Sequence, residues 1–167
     1  GKLDNALKVL DEILNRNPDS VQALEETAKI YVAKGAYGKA IGLCDNYLKR
    51  RPDNLQVGLI KARILLKQEK YVMMEDLLDR LIKRYPQSDR PVMLMAKALK
   101  KQKKFKQALV YYQKAIDRNP KEIEAYMAMA AIYKHEDRFD KAMDAYEILL
   151  QIDVSYGPAA NDLAYLY

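Results

Sequence analysis

A period of 34 residues runs through the chain and limits its possible folds more than any other feature. Pro18, Pro52, Pro86 and Pro120 are separated by that interval, and so are Ala28, Ala62, Ala96, Ala130 and Ala164. Self-similarity at such a length marks an array of like units, each burying its apolar face only against its neighbours. The register is clearest in residues 21–54 and repeats through 55–88, 89–122 and 123–156, with one helix-length segment before it (1–20) and another after it (157–167). We therefore expect 1–167 to form a single array.

Each period holds two amphipathic stretches separated by a short polar turn. In the leading segment Leu3, Ala6, Leu7, Leu10, Ile13 and Leu14 recur at spacings of three and four, which predicts a helix from Leu3 to about Arg16. The second stretch of each period stops before a proline, which disfavours a helical residue ahead of it. A repeated helical hairpin follows. Small residues at the eighth position, and at the twentieth in Ala6, Ala40, Ala108 and Ala142, allow the two helices to approach closely. Tyr37, Tyr71, Phe105 and Phe139 open the second helices, and Tyr31, Leu65, Leu99, Tyr133 and Tyr167 close the face of the first. An aromatic stripe in step with the repeat reads as core. The lone Cys44 repeats the apolar position of Leu10, Leu78, Tyr112 and Tyr146, so it reads as a small hydrophobe.

These residues resemble the tetratricopeptide repeat (TPR) family. The match lies in Leu24, Ala28, Tyr31, Gly35, Tyr37, Ala40 and Pro52 of the second unit, and in Tyr126, Ala130, Tyr133, Phe139, Ala142 and Tyr146 of the fifth. The resemblance implies an all-α fold, a right-handed α-solenoid of antiparallel helix hairpins whose first helices line a concave wall. It also implies a binding role, although the family serves many unrelated ligands. The stretch from Gly157 to Tyr167 is similar to inner helices of long bacterial members, some tied to the cell envelope, so the chain reads as a segment of a longer protein. Its compartment stays open.

Catalysis lacks parts. His135 is the only histidine and is far from Cys44 in sequence, while a solenoid's contacts reach only adjacent units, so no nucleophile and base are expected to meet. No CxxC, HxxxH or glycine-rich phosphate loop occurs, and neither a metal nor a cofactor is expected. No apolar run approaches the roughly 18 residues that a membrane helix needs.

By the family resemblance, the groove would present apolar Leu59, Ile60, Met93, Leu94 and Met127. Beyond them would stand a ladder of cations: Lys29, Arg63 and Lys97, then Lys67, Lys100, Lys101 and Lys134, with Arg90 at the start of the third inner helix. Residues 55–122 carry 17 basic and 7 acidic side chains, against 9 and 8 in residues 1–54 and 3 and 8 in residues 123–167. Such a field steers anionic partners. The expected role is a protein-interaction scaffold that takes an acidic segment of a partner. The alternatives are a basic groove for an anionic polymer, polysaccharide or nucleic acid, and a spacer for a domain elsewhere. Against nucleic acid, the tyrosines that could stack on bases are mostly placed in the core. The clamp that some TPR domains close on a chaperone's C-terminal carboxylates uses asparagines, and the corresponding Glu25, Lys29, Ile60, Arg90 and Leu94 lack them.

The third unit departs from the pattern with Gly58 in place of a large residue, Lys61 where Thr27, Met95, Met129 and Leu163 stand elsewhere, and Met74 in place of the second alanine. It is expected to be the least stable unit. Gly58 reads either as drift or as a notch for a ligand side chain, and Lys61 must reach water or an acid. Val154 replaces the proline that ends the other units, which is expected to open the turn to the last helix. The apolar faces of the first and last helices suggest end-to-end self-association.

Overall fold

The computed structural model describes residues 1–166 and is all-α. In order the helices are α1 (Lys2–Arg16), α2 (Val21–Ala33), α3 (Tyr37–Arg50), α4 (Leu55–Lys67) and α5 (Tyr71–Arg84). Then come α6 (Arg90–Lys101), α7 (Phe105–Arg118), α8 (Ile123–His135), α9 (Phe139–Ile152) and α10 (Gly157–Leu166). The aromatic residues Tyr37, Tyr71, Phe105 and Phe139 are each the first residue of a second helix. Phe139 nevertheless keeps 47% of its surface exposed, so it is only half core.

The turn inside each hairpin follows one backbone rule. Gly35, Glu69, Lys103 and Asp137 occupy the same repeat position and all have φ between 57° and 72°, in the left-handed region. The amide one residue on then donates back to the last turn of the first helix: Ala36 to Tyr31, Lys70 to Leu65, Lys104 to Leu99 and Arg138 to Tyr133, at 2.8 to 3.0 Å. This closing bond satisfies a helix carbonyl that would otherwise lack a partner. Only the first of the four turns uses glycine. At the other end of the hairpins, Ser20 Oγ accepts from the Ala23 amide and Asn54 Oδ1 from the Val57 amide, starting α2 and α4.

The chain forms two compact units, 1–86 and 87–166. In the first, α2 to α4 close on Leu24, Ala28, Ala40, Cys44, Tyr47, Val57, Ile60 and Ile64. Alanine at positions 28 and 40 leaves room for this contact. Burial pushes the Cys44 thiol up to about 12, which leaves it an inert filler. Successive turns are clasped by arginines: Arg50 Nη2 donates to the Pro18 carbonyl at 2.9 Å, Arg51 pairs with Asp19 at 2.9 Å, and Arg84 pairs with Asp53 at 2.9 Å. The face of α1 stays half uncovered, with Leu3, Val9 and Ile13 at 47%, 57% and 41% exposure.

In the second unit Ala130, Ala142, Ala145, Tyr146, Leu149 and Ala159 form the core shared by α8, α9 and α10. Arg118 repeats the clasp by donating to the Ser88 carbonyl at 3.1 Å. At the turn where Val154 stands, Asp153 Oδ1 accepts from both the amide and the hydroxyl of Ser155, at 3.0 and 2.7 Å. The same side-chain turn stands beside the prolines of other units, where Asn17 and Asn119 Oδ1 accept from the Asp19 and Lys121 amides at 3.2 Å, so Asp153 keeps the turn without the proline. On α10, Leu163 and Leu166 pack on the core while Ala160, Ala164 and Tyr165 are exposed; Tyr167 lies outside the described residues.

The irregular third unit is compensated by its own Leu81 and by Asp45 of the preceding repeat. Gly58 opens no notch to a ligand: it is buried, and a Cβ there would lie 3.0 Å from both terminal methyls of Leu81, which fill the space. Met74 is fully buried. Lys61, with 18% of its side chain exposed, finds an acid, Asp45 Oδ1 on α3 at 2.5 Å.

Candidate binding face

In the first unit α2 and α4, the first helices of consecutive repeats, pack side by side. Between them lies a pocket of about 180 Å³. Its floor is Ala28, Val32, Ile60 and Ile64, and its rim is Glu25, Lys29, Arg63 and Lys67. The helical spacing of three and four produces this order, because residues 60, 63, 64 and 67 share one face of α4.

The four rim groups differ in what they already hold. Glu25 accepts from Gln56 Nε2 at 3.0 Å and lies 3.4 Å from Lys29. The Gln56 hydrogen bond, ahead of the lysine's charge, holds its carboxyl below the usual carboxylate range. Lys29 is committed to its own helix, 2.7 Å from Glu26, and that bond raises its pKa. Arg63 and Lys67 are exposed and have no ion pair among the described residues. Leu59, expected in the groove, is 1% exposed and offers a ligand no surface; Ile60, at 5%, contributes to the pocket floor.

In the second unit two rungs of the expected ladder are neutralised by the neighbouring helix. Lys97 on α6 pairs with Glu124 on α8 at 2.7 Å, and Lys134 on α8 pairs with Asp162 on α10 at 3.2 Å. Asp162 also accepts from the Tyr146 hydroxyl at 2.7 Å. The tyrosine's hydrogen bond, then Lys134, holds the Asp162 carboxyl below its ordinary value, while burial raises the Tyr146 phenol. Lys100 is half-buried without an ion pair among the described residues, and Arg90 and Lys101 lie at the two ends of α6. Met127 is partly buried against the α8–α10 core. Met93 and Leu94 are 6% and 7% exposed and lie in a buried run from Pro91 to Ala96 that follows the exposed Arg90. Of the expected apolar patch, Ile60 lines the α2–α4 pocket together with Ala28, Val32 and Ile64.

Sequence reasoning overlooked the counter-ions. Glu124 and Asp162 follow Lys97 and Lys134 by 27 and 28 residues, one repeat on and about two turns back, which is the signal that could have found them. His135 has a structural setting, its ring 4.8 Å from that of Phe105. Among the described residues no group of His, Cys, Asp and Glu could hold a metal ion, and no helix is long and apolar enough to cross a membrane.

Helical hairpins of this length, with alanines where the helices touch and first helices side by side, define a tetratricopeptide repeat protein. The family described as "Psidin, N-terminal TPR repeats region" matches residues 27–151, and the chain belongs to it. Among solved structures, the thermophilic TPR protein TTC0263 from Thermus thermophilus is 18% identical with a TM-score of 0.74, covering 99% of this chain and 91% of that one. MamA (41-end) from Desulfovibrio magneticus RS-1 is 22% identical with a TM-score of 0.73, covering 94% and 89%. YrrB, described as a TPR protein with an unusual peptide-binding site, is 17% identical with a TM-score of 0.68, covering 96% and 83%. At these identities the likeness is one of fold. No curated protein matches the chain.

Proposed function

We propose that the protein is a non-catalytic interaction scaffold whose α2–α4 face receives an acidic, partly apolar segment of a partner protein. The observation that supports this reading is the pairing of an apolar floor with two rim cations, Arg63 and Lys67, that form no ion pair among the described residues, although the field of Glu25 reaches Arg63. The floor supplies affinity by burying apolar side chains, and the two cations set orientation and association rate. The acidic groups nearby do not oppose a ligand strongly, since Glu25 is already held by Gln56 and Lys29. YrrB, similar in fold, has a peptide-binding site, which agrees with a peptide ligand here.

Two libraries of peptides with equal hydrophobicity, one acidic and one neutral, test the proposal. The acidic set binds more tightly, and Arg63→Ala with Lys67→Ala weakens it by about tenfold while leaving the neutral set unchanged. Equal binding of the two sets by the unaltered protein rejects the electrostatic part. Failure of both sets to bind rejects the groove.

A further inference from the structure

A second cleft in the first unit lies away from the α2–α4 face, between α3 and α5, the second helices of two consecutive repeats. Its volume is about 590 Å³, inside the range of roughly 300–1,000 Å³ usual for small-molecule sites. Leu48, Leu77 and Leu81 supply apolar wall. Lys61 also lines it, although it belongs to α4, and its mostly buried side chain carries its ammonium to Asp45. At the same repeat position Thr27, Met95 and Met129 are buried with no charge.

The charges in this cleft do not balance. Lys61 pairs with Asp45, and Arg84 at the end of α5 pairs with Asp53. Lys49 and Arg80 remain, lining the same space without an ion pair among the described residues. An ammonium carries three donors, and Asp45 takes one. A space with leucine walls, a lysine whose side chain is mostly buried and two surplus positive charges is complementary to a small molecule with an anionic head and an apolar body.

We infer that the α3–α5 cleft binds a small organic oxyanion, a carboxylate or phosphate monoester on a short aliphatic chain. The head meets Lys61, with Arg80 and Lys49 adding field, and the chain lies against Leu77 and Leu81. This site is independent of the α2–α4 face, which has other residues and another kind of ligand.

The test is a titration of the isotope-labelled chain with hexanoate, hexyl phosphate and hexanol, followed by amide chemical shifts. Hexanoate or hexyl phosphate shifts the amides of Leu48, Leu77 and Leu81, and the tighter of the two assigns the head group; hexanol at equal concentration does not. Lys61→Met, the residue found at 95 and 129, weakens the anion by about tenfold, whereas Arg63→Ala leaves it unchanged. Should Lys61→Met fail to fold, Arg80→Gln is the second variant and weakens binding about threefold. The inference is overturned if hexanol binds as well as the anions, if neither anion binds, if the shifts fall away from α3, α5 and the Lys61 region of α4, or if folded Lys61→Met binds like the unaltered chain.

Discussion

Gly58 and Leu81 exchange size across the α4–α5 contact: where the glycine has no side chain, both terminal methyls of Leu81 lie 3.0 Å from the place of its missing Cβ. The pair at the same two positions one repeat later is Val92 and Ala115, with the larger residue on the first helix instead. Between these two repeats the summed side-chain volume is similar while its owner changes, whereas Leu24 with Tyr47 and Tyr126 with Leu149 are both large.

A double-mutant cycle reads this exchange. Gly58→Val alone overpacks the contact and costs about 1–3 kcal/mol, and Leu81→Ala alone opens a cavity and costs about 2–4 kcal/mol. Together they restore the Val92–Ala115 arrangement, so the double variant should lose at least about 1 kcal/mol less than the sum of the two. Urea denaturation at constant m-value measures it.

The hairpin turns predict gains. Glu69, Lys103 and Asp137 adopt the left-handed conformation that Gly35 adopts in the equivalent turn. Side chains crowd the backbone there, and glycine does not. Each of Glu69→Gly, Lys103→Gly and Asp137→Gly should therefore stabilise by about 0.5–1 kcal/mol after the extra chain entropy of glycine is subtracted. Gly35→Ala should destabilise by a similar amount. Thermal midpoints of the four variants check both signs.

The repeat period made the hairpins legible because a proline, an alanine and an aromatic recur at fixed offsets, and each has a local physical meaning. The site was legible only in part. Arg63 and Lys67 line the α2–α4 pocket because their shared helical face follows from spacing alone. Leu59 is fully buried because burial of an inner helix depends on everything packed around it, which one helix's periodicity does not contain. Gly58 looked like a notch for the same reason, since its filler, Leu81, lies 23 residues away on another helix. The lysine ladder looked free because long-range counter-ions such as Glu124 and Asp162 become neighbours only after the helices stack.

Asp162 predicts a pH dependence. Its folded pKa is lowered by the Tyr146 hydroxyl and by Lys134, so the folded state favours the ionised carboxylate. The stability this adds is present above the unfolded carboxylate value of 3.8 and is lost as pH falls through the lower folded value. Tyr146 works at the other extreme: its folded pKa is raised, so its contribution is present below the ordinary value of 10.0 and is lost as pH rises beyond it. Asp162→Asn should lower stability at neutral pH and match the unaltered chain once the acid limb has been passed. Urea midpoints between pH 2 and pH 7 decide, and an unchanged pH profile in the variant would remove Asp162 from the account.

Lys61 and Asp45 predict an asymmetry rather than a single loss. The lysine is mostly shielded, at 18% side-chain exposure, whereas the aspartate is 41% exposed. Removing the acid strands a poorly hydrated cation, so Asp45→Ala should cost about 1–2 kcal/mol, below the roughly 3–5 kcal/mol of a fully buried pair because water still reaches the site. Removing the lysine strands a carboxylate that water can solvate, and Lys61→Met installs the residue that is buried at positions 95 and 129. That change should be neutral within about 0.5 kcal/mol or stabilising, since a well-packed apolar side chain often outperforms an ion pair that must be desolvated. Chemical denaturation of the two single variants and their double separates the pair's coupling from the cost of leaving one charge alone. Equal losses in both singles would mean that the ion pair itself, and not the burial of the lysine, governs this contact.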